Sequence, residues 1–176
     1  MEVDRLRTYL IEGLEEWVHE QRDIHLPDAR PLSDEERLRF KGYFDRRILD
    51  FTRIATVDRI SNPGFYSDLV KSGVPIPLDF TQAIGLALFN CVLVRRELWS
   101  NPSSAISTLF HEMVHVVQFD LLGPRKLIEL YSDCLIQDSY HNVLFERQAY
   151  TLTDRFNLGG TSFSVRRVVE QELDAV

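Results

Sequence analysis

The chain is poor in cysteine. Its 176 residues hold two, Cys91 and Cys134. That is too few for a disulfide scaffold, and no CxxC pair exists for a four-thiolate zinc site. Two buried free thiols in a reducing compartment are the expected state. A basic excess is also lacking. The 20 Lys and Arg stand against 27 Asp and Glu, a net charge of −7, which argues against a nucleic-acid partner. No run approaches the roughly 20 apolar residues that cross a bilayer, so no membrane partner is expected. The start, Met1-Glu2-Val3-Asp4, is acidic and leads into an amphipathic pattern, unlike a secretory signal. Internal repeats and low-complexity runs are absent as well. These absences together predict a soluble cytoplasmic protein.

Apolar residues make up 44% of the chain, enough for one domain with a real core. Val3, Leu6, Leu10, Leu14, Trp17 and Val18 recur at three- and four-residue steps, which predicts a helix from Val3 to about His19. Asp23 to Pro31 reads as a loop. Ser33 and Glu36 form a capping box that opens a second helix through Phe40, Tyr43, Phe44, Ile48 and Leu49. Thr52 to Ile60 reads as a strand. Asn62-Pro63 is expected to cap a short helix ending at Gly73, and Val74 to Pro77 to be extended. Ile84 to Leu88 and Cys91 to Arg95 predict a hairpin. Its turn is Phe89-Asn90, with Asn90 the residue suited to a left-handed conformation. A long helix starts at Asn101-Pro102 and stops at Gly123-Pro124. Further helices are expected from Pro124 to about Gln137, from beyond Asn142 to Gly159-Gly160, and around Val165, Val168, Val169 and Leu173. Helices dominate, a few strands sit mid-chain and no βαβ alternation shows, so the expected class is α+β.

The helix from Asn101 to Leu122 carries the chemistry. Apolar residues surround almost its whole circumference, so it is expected to be buried. Yet His111, His115 and Gln118 lie on one face at i, i+4 and i+7, and a buried polar stripe must meet polar partners. His111-Glu112-Met113-Val114-His115 is the HExxH pattern. Two imidazoles one turn apart can hold one metal ion. Glu112, turned away from the ion, can act as general base toward a water whose pKa zinc lowers to about 7. Thr108 sits three residues before the first His. A metzincin would continue with Gly and His at 118 and 121, where this chain has Gln118 and Leu121. The third ligand is then sought downstream among Glu129, Asp133, Asp138, His141 and Glu146. Glu146 stands out, because Phe145-Glu146-Arg147-Gln148-Ala149-Tyr150 places the small Ala149 one turn on, where helices can approach closely. Gln118, Tyr150 and His141 are candidates for orienting a ligand. Tyr131, Tyr140, His141, Arg147 and Tyr150 are candidates for stabilising an oxyanion.

HExxH followed by a glutamate in an ExxA motif resembles the gluzincins, the zincin metallopeptidases that include thermolysin. Ile84 to Phe156 is similar to small bacterial gluzincin-like domains of unassigned function. The matching stretches are Val92-Leu93-Val94-Arg95, His111 to Gln118, Gly123, Tyr131 and Phe145 to Ala149. The resemblance covers about half the chain and leaves Met1 to Asp79 outside it. At Tyr150 many gluzincins have an Asp that orients a ligand His. The resemblance implies a helix-rich zincin-like fold with a small mid-chain sheet and a buried HExxH helix. It implies one zinc per chain on His111, His115 and Glu146, Glu112 as catalytic base, and a peptide or protein substrate. In gluzincins an edge strand holds that substrate, here a strand within Ile84 to Arg95. The expected organisation is one domain, 1–176, with N-terminal helices at 1–50 and a metal-binding core at 51–176. Two rivals from other classes stand beside the peptidase: a zinc-binding or protein-interaction domain of the same fold without turnover, and a metal-free helical interaction module.

Overall fold

The structure, a computed structural model, describes residues 3–74, 78–137 and 144–174, without the side chains of 3, 4 and 134–137. Most of the extended segment expected at Val74 to Pro77 lies outside the described residues. So do Asp138, Tyr140 and His141, and the side chain of Cys134.

The first helix, α1, runs Val3–His25 and buries Leu10, Ile11, Leu14, Trp17 and Val18. It outlasts its apolar pattern because its last turns are held by polar contacts. Arg22 Nε donates to Asn90 Oδ1 at 2.7 Å. A 3-10 turn (Leu26–Asp28) and a two-residue strand, β1 (Arg30–Pro31), occupy the expected loop. The capping box is formed. Ser33 Oγ accepts from the Glu36 amide, and Glu36 Oε2 accepts from the Ser33 amide. The helix it opens does not reach Leu49. It divides into α2 (Asp34–Phe40) and α3 (Arg46–Phe51). Gly42 turns the chain between them at φ 88°, and Asp45 caps α3 by accepting from the Ile48 amide.

The strand read at Thr52 to Ile60 is shorter, β2 (Arg53–Val57). Helix α4 (Tyr66–Lys71) begins after Phe65, so Asn62 is not its cap. Asn62 instead accepts from the Phe80 amide and donates to Asp79. Strands β3 (Gly85–Leu88) and β4 (Cys91–Arg95) form the expected hairpin. The left-handed residue of its turn is Phe89, φ 60°, not Asn90. Asn90 serves the turn with its side chain, donating to the Phe51 carbonyl while accepting from Arg22. The sheet is mixed, in the order β1-β2-β4-β3. β2 and β4 are parallel, with Ala55 opposite Leu93, a crossover that the apparent lack of βαβ alternation did not suggest. The hairpin thereby puts β3 on the sheet edge.

Helix α5 (Pro102–Leu122) is capped by Asn101, which accepts from the Ser104 amide, and ends at Gly123 with φ 76°. It packs against β3, β4 and the helices that follow: α6 (Pro124–Gln137), α7 (Leu144–Leu158) and α8 (Val165–Leu173). Leu109, Phe110, Met113, Val114 and Val116 are fully buried. On the side away from the hairpin, Phe110 stacks on Phe156 at 4.2 Å, with Tyr43 and Phe163 edge-on around them. Aromatic packing of this kind fixes the rotation of α5 and α7 about their axes. The fold is helix-rich α+β with a small mixed sheet. Among the described residues no helix is long and apolar enough to cross a membrane. Cys91 is a buried free thiol whose pKa burial pushes up to about 11.

Candidate metal centre

One turn of α5 separates His111 and His115, and their Nε2 atoms lie 3.2 Å apart. Glu146, in the first turn of α7, faces both. Its Oε2 is 3.4 Å from His111 Nε2, and its Oε1 is 3.5 Å from His115 Nε2. Ala149, fully buried, lets α7 lie close against α5. Among the described residues these three form the one His/Cys/Asp/Glu group close enough to share a metal ion, with all donor atoms within 4.8 Å.

The donors suit such an ion in spacing and in charge. Ligands about 2.0–2.1 Å from a tetrahedral zinc stand roughly 3.3–3.4 Å from one another. The observed separations of 3.2, 3.4 and 3.5 Å are close to one face of that tetrahedron. Tyr131 Oη donates to Glu146 Oε1 at 3.0 Å, but Glu146 Oε2 is buried without a hydrogen bond among the described residues. Burial alone would raise the Glu146 carboxyl. His115 and His111 outweigh it and hold the group far below the usual carboxylate range. For His115, burial opposes protonation, but Glu146 prevails and lifts the ring to about 9. The cluster therefore favours one positive charge at its centre.

Glu112 lies beside this group and is buried. Burial pushes its carboxyl up, the two imidazoles pull against that, Glu146 adds to it, and the Ala87 amide donates to the carboxylate. Even-numbered residues of β3 turn their backbone groups to β4, as the Arg95 amide bonded to the Ile84 carbonyl shows. Odd-numbered Gly85 and Ala87 therefore present theirs to the free edge, toward α5. A Cβ on Gly85 would lie 2.7 Å from Glu112 Oε1 and 2.9 Å from Thr108 Cγ2. Gly85 is what allows the strand to approach the helix here. A lone glycine inside a strand pattern is the sequence signal for such an approach.

Of the candidate orienting groups, Gln118 Oε1 lies 2.8 Å from His115 Nδ1. Tyr150 lies against His111 by its ring, centroids 4.6 Å apart, rather than by a hydrogen bond. Its pKa is raised by burial and by Glu146 and Glu112. Glu129 pairs with Arg125 and Asp133 with Arg7, which occupies both away from the histidines. Arg147 is exposed. A cavity of about 520 Å³ opens over the cluster, with Trp17 and Val18 of α1, Leu127 and Ile128 of α6, and the edge of β3 in its walls.

Comparison with protein-family models, with curated protein sequences and with solved structures gives no match.

Proposed function

We propose that this protein is a zinc-dependent metallopeptidase of zincin-like, gluzincin type, acting on peptides or proteins in the cytoplasm. The observation that carries the reading is the buried Glu112 carboxylate standing beside a His-His-Glu donor face at the floor of a cavity. His111, His115 and Glu146 would hold the ion, with the fourth position open as in catalytic zinc sites. When bound, zinc would polarise the scissile carbonyl and acidify a water. Glu112 takes the proton of the attacking water and returns it to the leaving amine. Burial and the loss of competing solvent bring its basicity toward the range that general bases use. The Ala87 amide keeps one side of the carboxylate engaged and so limits its rotation. Gly85, on the free edge of β3, offers its N–H and C=O to an extended substrate, which would add to the sheet as a strand. Tyr150 lines the cavity next to His111, and its raised pKa keeps the hydroxyl protonated as a donor to a developing oxyanion.

The test is a peptide-library digest with wild type, Glu112→Gln and chelator-treated protein. Glu112→Gln should retain its zinc and lose hydrolysis, since loss of a general base costs about 10²–10⁴ in rate. Cleavage that survives this substitution removes Glu112 from the mechanism. No cleavage by zinc-loaded wild type would favour a zinc-binding domain without turnover.

A further inference from the structure

Gln118 lies one turn beyond His115 and is fully buried. Its Nε2 donates to the Phe145 carbonyl at 3.1 Å and to Gln148 Oε1 at 2.8 Å. A backbone carbonyl can only accept, so it decides which end of the Gln118 amide faces α7. A reversed amide would set oxygen against oxygen there. With both N–H groups engaged, Oε1 is left facing His115 Nδ1 at 2.8 Å. Oxygen accepts, so Nδ1 is the donor to Gln118, and Nε2 is the atom turned toward His111 and Glu146. The same amide holds the carbonyl of Phe145, the residue before Glu146, and so ties two of the three donors together. Gln148, also buried, is oriented in turn. Its oxygen is taken by Gln118, and its Nε2 donates to Glu172 Oε2 on α8 at 2.8 Å.

We propose that Gln118 and Gln148 are positioning residues of the metal centre, and that Glu172 anchors them, so that the C-terminal helix α8 helps to set the ring of His115. This rests on the reading that His111, His115 and Glu146 take a metal. The chain of bonds runs from a group in the metal cluster to a carboxylate at the surface, through two buried amides. In metal sites such outer partners fix the tautomer and direction of the ligand ring.

Two measurements test it together. Zinc affinity is read by competition with a chromophoric chelator. The hydrogen-bonded Nδ1 proton of His115 is read by NMR in ¹⁵N-labelled metal-free protein. Gln118→Leu should weaken zinc binding by about 10- to 100-fold and abolish the protected Nδ1 resonance. Glu172→Leu changes only a surface residue, so it remains informative if a core substitution fails to fold. It should shift the same resonance and weaken zinc by a smaller, few-fold amount. A purely structural role would lower the melting temperature and leave the Nδ1 proton in place. Equal zinc affinity in Gln118→Leu and wild type, or an Nδ1 resonance indifferent to Gln118→Leu and Glu172→Leu, overturns the inference. A wild type that takes up no zinc overturns the metallopeptidase reading instead, and the Nδ1 resonance then still decides whether Gln118 orients His115.

Discussion

Glu146 and Glu129 are both helix carboxylates downstream of the HExxH motif, and their surroundings separate them. Glu129 is paired with Arg125 at 3.1 Å on α6, whereas Glu146 is buried with both oxygens facing imidazole nitrogens. Glu146→Gln should weaken zinc affinity by at least about 10-fold, the lower range for disturbing groups around a metal. Glu129→Gln should leave it unchanged. A titration in which Glu129→Gln strips the metal would refute the assignment of the third donor. Gly85 makes a different demand. Something must move if a methyl group is placed 2.7 Å from Glu112 Oε1, and the end of a side chain gives way more readily than strand backbone. A displacement near 1 Å in a catalytic group can cost about 10²-fold. Gly85→Ala should therefore lower kcat on the order of 10²-fold while zinc content stays at the wild-type level. Undiminished kcat would mean that the close approach of β3 does not position the base.

Among the elements, the segment from Ser33 to Phe51 shows how local signals and packing divide the work. The capping box is legible because a serine and a glutamate three residues apart can satisfy two amides whatever the rest of the chain does. The break at Gly42 is not legible from apolar spacing, since α2 and α3 both point apolar residues into the same core. Arg30 reinforces the cap, donating to both Glu36 oxygens at 2.7 Å. Burial acts to raise the Glu36 carboxyl, but the bonds from Arg30 and Ser33 prevail and lower it. A carboxyl lowered in the folded state contributes stability above its unfolded pKa of about 4.3 and loses it as pH falls through the folded value. Glu36→Gln should thus reduce the melting temperature at pH 7, and the gap from wild type should shrink steadily below about pH 4. A gap that is constant from pH 7 to pH 3 would show that the charge of Glu36 is not what holds the turn.

At the scale of the whole molecule, an ion on His111, His115 and Glu146 would bind α5 to α7, and unfolding would have to release it. Free zinc at 100 times its dissociation constant should then add about 2.7 kcal/mol, a rise in melting temperature of roughly 5–10 °C for a chain of this size. Scanning calorimetry with zinc and with chelator measures it, and superimposable transitions would count against a metal site. What could be read without the fold is what the covalent chain enforces over short distances. His111, His115 and Gln118 share a face because a helix repeats every 3.6 residues. Asn101 and Gly123 bound that helix because each satisfies or redirects a local backbone group. The β3–β4 hairpin follows from two apolar runs separated by two residues. The rest depends on partners that no local pattern specifies. The parallel pairing of β2 with β4, the seating of Gly85 against Glu112, the course of bonds from Gln118 through Gln148 to Glu172 and the approach of Glu146 to both imidazoles are all set by how distant elements pack. A glycine, an amide or a carboxylate at one position carries the same sequence signal whether it meets a metal ligand or water, and only tertiary contact decides which.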